Sequence, residues 1–217
     1  MNRITGATLL CVLFTTAFVA GRGISDRRPE HPDTLQSVWF YTEGIKQQTI
    51  HRDTAQAREL FLEAIRRDST YAPAYYELAA NNLCRTADEA ARMAGRACRL
   101  DSTNKWYRQL YGQTLIYAGR YNEALRLFRR LQIDYPRDPD YYRLVAALYE
   151  QTDFPVQAII TLDSAELRLG RIPYLSDMKR RLLVSTGQTA RAIEEARAEV
   201  EATPYEARPH AVLATFY

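Results

Sequence analysis

The sequence predicts an all-α fold, a solenoid made by stacking antiparallel helix pairs. Three observations predict it. The 34-residue stretch from Lys105 to Asp138 holds two amphipathic helical patterns with a tight break between them. Its small residues and its closing proline recur along the chain at steps of 34 residues. The starts of the recurring units carry helix-entry chemistry, as at Asp138-Pro139, where a capping carboxylate precedes a proline at the first helical position.

In chain order, residues 1–21 carry Arg3, an apolar stretch from Ala7 to Ala20 and small residues at its end. About 14 apolar residues are too few to cross a bilayer core, which takes about 20, but they suit a secretory signal. Export to a periplasm or the outer envelope is the expectation, with no integral span left in the mature form. Leu10 and the placement of the apolar run after Cys11 argue against a lipoprotein anchor. Residues 22–36, with Gly23, Pro29 and Pro32 among charged side chains, read as a linker.

The helix-pair pattern begins after the linker. In the central unit, Tyr107, Tyr111, Leu115 and Tyr117 line one helical face, and Ala124, Leu127, Phe128 and Leu131 line another. Ala118-Gly119-Arg120 breaks the two apart. Tyr135-Pro136 closes the unit, because proline cannot continue a helix and disfavours helical geometry just before it. At steps of 34, Gly112 maps to Ala146, Arg180 and Ala214, and Ala124 maps to Ala158 and Ala192. Pro136 maps to Gly170 and Pro204. Toward the N-terminus, Tyr75, Leu78, Ala79, Ala90 and Ala94 fit when the turn near Cys84 is one residue short, and Gly44, Ala57, Phe61 and Ala64 fit when the turn near His51 is one residue long. Five units follow, at 37–71, 72–104, 105–138, 139–172 and 173–206, with 207–217 as the first helix of a sixth.

The spacing of Gly112, Gly119, Tyr121, Ala124, Phe128 and Pro136 resembles the tetratricopeptide repeat in position and length. The resemblance implies a right-handed superhelix in which small residues stand where the two helices of a unit meet and a larger side chain fills the gap one turn later. In the fifth unit, Lys179 and Arg180 occupy places that the family gives to an apolar and a small residue, so the register of that helix stays open.

Composition limits the function classes. With 47% hydrophobic and 25% charged residues, the chain can bury a core. A formal charge of +3 is too small to demand a polyanion. Of the 29 basic residues 26 are Arg, a bias that genome base composition also produces. His31, His51 and His210 are far apart and lack neighbours at metal-ligand spacing, and phosphate-loop, dinucleotide and nucleophile-elbow motifs are missing. No catalytic residue, metal or cofactor is therefore assigned. Cys84 and Cys98 would be separated along a helix by about 15 Å, too far for a bridge. An RNA-reading repeat is the rival class, and the small charge, the export signal and the irregular placement of Arg66-Arg67, Arg129-Arg130 and Arg180-Arg181 oppose it.

In the tetratricopeptide family the first helix of each unit lines a concave groove. Carried over by register, the groove places hold Tyr41, Ile45, Tyr76 and Trp106 toward the N-terminus. Gln109 and Gln113 follow in the centre, and Arg143, Asp177 and Arg181 toward the C-terminus. Tyr and Trp there offer apolar area with a hydrogen-bonding tip, the chemistry of a peptide or partner-helix anchor. The family's carboxylate clamp is not matched by Ile45, Ala80, Gln113 and Ala147. At the end of the chain, Val212, Leu213, Phe216 and Tyr217 leave an apolar helix, expected to meet further repeats or to self-associate. The expected function is a non-enzymatic protein-interaction scaffold of the bacterial envelope, with a regulatory region of a longer protein as the other alternative.

Overall fold

The computed structural model describes residues 32–81 and 83–217. The signal segment and most of the linker expected above lie outside them. Eleven α-helices and no strand occur among the described residues. They alternate as pairs: α1 (Pro32–Lys46) with α2 (Thr54–Arg67), α3 (Ala72–Ala80) with α4 (Ala87–Leu100), and α5 (Lys105–Tyr117) with α6 (Tyr121–Asp134). Next come α7 (Pro139–Gln151) with α8 (Pro155–Leu169), α9 (Pro173–Ser185) with α10 (Thr189–Ala202), and finally α11 (Ala207–Ala214). Residues 32–36, expected as linker, form the first turn of α1.

The helix ends follow from local chemistry. Asn104 accepts from the Trp106 amide at 3.0 Å, and Asp138 accepts from Asp140 at 3.2 Å, so side chains satisfy N–H groups that no helical turn reaches. Pro139, Pro155 and Pro173 open α7, α8 and α9, where their missing N–H removes nothing. Between the helices of a pair, Gly119, Asp153 and Gly187 hold the same left-handed turn, with φ of 72°, 66° and 76°. In each, the next amide closes on a carbonyl five residues back, as Arg120 does on Leu115 at 2.9 Å. Glycine enters that conformation freely; Asp153 does so against the contact of its own Cβ.

Two connections differ from this pattern. The longer one near His51 is a π-helical turn, Gln47–His51, ended by Arg52 at φ 55°. The shorter one follows α3, which has only 9 residues where the other complete first helices have 13 or more. Leu83 folds back into the core and Thr86 caps α4 through the Glu89 amide at 3.1 Å.

Each helix packs chiefly on the helix before and the helix after it, and α3 also meets α5. Tyr149 belongs to the surroundings of two core clusters, so the apolar interior continues from one pair to the next. Close approach within a pair is visible at Gly112. A Cβ there would lie 2.6 Å from the ring of Phe128, and one at Gly44 would lie 2.7 Å from Phe61. The fifth unit keeps the same register with different chemistry. Lys179 and Arg180 are buried, at 3% and 5% exposure, rather than displaced. The Lys179 ammonium meets Glu166 at 2.5 Å, Glu195 at 2.6 Å and Asp163 at 3.2 Å, while Arg180 pairs with Glu199 and Asp177.

Candidate interaction groove

The first helices of successive pairs bring the sequence-derived groove residues to neighbouring turns, in three settings. In the N-terminal setting, Tyr41 on α1 packs its ring 5.8 Å from Phe61 and 5.4 Å from Tyr71. Burial, then the nearby Glu77 charge, pushes its hydroxyl up to about 12. Ile45 lies half-buried against the cluster of Phe61 and Leu78. Tyr76 on α3 tilts against Tyr107 of α5 at 5.3 Å. Tyr41 and Tyr76 are thus drawn together around Glu77, which the sequence reading did not single out. The only hint was a lone acid in the aromatic run Tyr71-Ala72-Pro73-Ala74-Tyr75-Tyr76-Glu77.

The central setting is α5. Trp106 is 62% exposed, with the Lys105 ammonium 5.4 Å from its ring. The same ammonium stands 4.9 Å from Tyr135, 5.5 Å from Tyr141 and 3.2 Å from Asp138, so it is held from three aromatic faces and one carboxylate. Gln109 accepts from the Tyr141 hydroxyl at 3.4 Å. Gln113 is exposed and lines a cleft of about 600 Å³ with Ala79, Ala80, Arg85, Leu110 and Tyr117. The cleft exists because α3 stops one turn early and alanines form its wall. Cys84 also borders it as a half-buried free thiol, raised to about 11 mainly by burial.

The C-terminal setting is α9. Asp177 sits between Arg180 and Arg208, while Arg181 is exposed. Asp177, Arg180 and Arg181 line, with Tyr174, Val184, Val212 and Phe216, a cleft of about 900 Å³ between α9 and α11. Val212 and Phe216, expected to meet further repeats or another copy, are half-buried in that wall. Arg143 on α7 stands apart, paired with Asp140 of its own helix at 3.3 Å. No group of three or more His, Cys, Asp or Glu that could hold a metal ion occurs among the described residues. No helix among them is long and apolar enough to cross a membrane.

Stacked helix pairs with small residues at the point of closest approach and a first-helix face lined by side chains define a tetratricopeptide-like solenoid. Residues 85–148 match the tetratricopeptide repeat family. Among solved structures, a MamA protein aligns with a TM-score of 0.67 at 13% identity, covering 80% of this chain and 94% of that one. MamA from Desulfovibrio magneticus RS-1 aligns with a TM-score of 0.61 at 16% identity, covering 79% and 98%. YrrB, described as a TPR protein with an unusual peptide-binding site, aligns with a TM-score of 0.62 at 14% identity, covering 82% and 90%. At such identities the likeness is one of fold. No curated protein matches the chain significantly in sequence.

Proposed function

We propose that the chain is a non-enzymatic scaffold that receives a segment of a partner protein along its first-helix face. One observation carries this proposal most: Trp106, Gln113 and Arg181 are exposed on that face, two of them beside clefts of about 600 and 900 Å³. A large exposed aromatic, an amide and a cation beside preformed concave surface are what an extended segment needs for anchoring and alignment. The peptide-binding site attributed to YrrB supports the same use of this fold.

The test is affinity capture from envelope extract with wild type, Trp106→Ala and Arg181→Ala. Both side chains are largely in solvent, so the variants should fold normally by circular dichroism. Loss of the same captured protein by either variant is expected; retention of every partner by both overturns the groove assignment. The cell-envelope location rests on the apolar stretch from Ala7 to Ala20. Fractionation followed by N-terminal sequencing should find a mature start near Gly21 in the envelope fraction. An intact Met1 in the cytosol would sink that part alone.

A further inference from the structure

Eight glutamates of the described residues are half-buried, and seven of them meet an Arg or Lys side chain. Glu89 has Arg58 at 2.9 Å, Glu195 has Lys179 at 2.6 Å, and Glu123 has Arg120 at 2.7 Å. Glu77 is the eighth. Among the described residues no basic side chain pairs with it; Asn81 donates to its Oε2 at 2.6 Å, and the Tyr41 hydroxyl also interacts with it. A carboxylate has about four acceptor positions, so two neutral donors leave capacity. Taking an anion out of water without a countercharge is unfavourable. Burial accordingly raises the Glu77 carboxyl above its usual range despite those two hydrogen bonds.

The surroundings of Glu77 are aromatic and come from three consecutive first helices. Tyr41 arrives from α1, Tyr76 from α3 beside Glu77 itself, and Tyr107 from α5. The rings are braced in pairs, Tyr76 on Tyr107 at 5.3 Å and Tyr41 on Tyr71 at 5.4 Å, so their positions are set before any ligand arrives. All are only partly buried. Aromatic faces attract cations through the ring quadrupole, most strongly where water is partly excluded. The protein already uses this combination internally: Lys105 is held by Trp106, Tyr135, Tyr141 and Asp138. The Glu77 constellation brings together the same groups, a carboxylate and aromatic rings from neighbouring helices.

We infer that Glu77, with Tyr41, Tyr76 and Tyr107, is the receptor for a Lys or Arg side chain of the partner segment. The inference rests on the groove assignment and adds the chemistry of its occupant. The carboxylate supplies charge, the rings supply apolar contact to the methylene stem and a cation-attracting face, and the three helices fix where along the groove a basic residue must fall.

The experiment is an NMR titration of the full chain, following tyrosine ring resonances. The probes are Nα-acetyl-lysine amide, Nα-acetyl-arginine amide and, as the uncharged control, Nα-acetyl-norleucine amide. Saturable shifts of Tyr41, Tyr76 and Tyr107 with the two cationic probes, and none with norleucine, are expected. Glu77→Gln keeps the shape and the Asn81 contact, and should weaken cation binding about ten-fold or more. Tyr76→Leu keeps bulk but removes a ring, and should weaken it as well. Equal shifts with lysine and norleucine overturn the inference, as does full binding by both variants. If Trp106→Ala loses its captured partner while Glu77→Gln keeps it and wild type ignores the cationic probes, the groove assignment stands and this inference falls.

Discussion

The central pair, α5 with α6, and the fifth pair, α9 with α10, have the same register and opposite interiors. In the centre, Gly112 admits the ring of Phe128, and Ala124, Phe128 and Leu131 are wholly buried. In the fifth pair, Arg180 takes the place of Gly112, Ala196 that of Phe128 and Glu199 that of Leu131. Bulk has moved from the second helix to the first, and charge has entered both. The central solution is local, a ring in a notch. The other is distributed, since Lys179 draws carboxylates from α8 as well as α10. Buried ion pairs rarely exceed apolar packing in net stability, but they fail badly when one member is removed. One geometry can therefore be held either by fit or by matched charge, with different sensitivities.

The largest effect that would sharpen this contrast is Phe128→Ala, which should cost about 3–5 kcal/mol with little dependence on pH. Urea denaturation, with hydrogen exchange to locate the loss at α5 and α6, checks it. Lys179→Ala should cost about 3 kcal/mol at neutral pH. Asp163, Glu166 and Glu195 would then lose the one cation that all three share, and the outer arginines Arg171 and Arg191 together with partial exposure keep the loss at the low end. Protonation relieves the repulsion among the three acids, so the loss should shrink at acid pH; an undiminished loss would break the contrast.

In the wild type the sign is opposite. Burial opposes ionisation of Glu166, but Lys179 and Arg171 outweigh it and hold the carboxyl below its ordinary range. Its contribution is present above about pH 4.3 and is lost as pH falls through the lower folded value. Burial likewise opposes the Lys179 charge, and the hydrogen bonds to Glu166 and Glu195 win, so that contribution is lost only as pH rises past the raised lysine value. Amides of α9 and α10 should therefore exchange relatively faster than those of α5 and α6 on acidification. Equal acceleration in both would show that the ion cluster carries no stability. The smallest effect separates the turns. Asp153→Gly should gain about 0.5 kcal/mol by relieving a left-handed backbone that Gly119 and Gly187 occupy freely; a thermal melt reads it.

Much of the fold was legible because its determinants are local and periodic. Gly112, Ala124 and Phe128 announce a notch and its filler within 17 residues, and Asp138-Pro139 announces a helix start. The charged interior was not legible in the same way. Lys179 and Arg180 look like a lapse of register until their partners are known, and apart from Asp177 those lie 13 to 19 residues away on other helices. The groove face shows the same division. Its positions follow from period alone, but whether a side chain is free depends on neighbours: Gln109 is engaged by Tyr141 and Asp177 by two arginines, whereas Trp106 and Arg181 stay open. Glu77 escaped notice because its distinction is that no basic side chain among the described residues pairs with it, and sequence spacing does not show which charges find each other.

The carboxylate ring around Lys179 also bears on how such an array can grow. A pair closed by a glycine notch carries its own complement and can be duplicated, deleted or moved along a gene with its interior intact. Lys179 needs acids on the helix before it and on the helix after it, so α9 is tied to its present neighbours. Recombination at that junction would strand charges in the interior. Such a lineage is expected to vary in repeat number elsewhere and to pass α8, α9 and α10 on as a block.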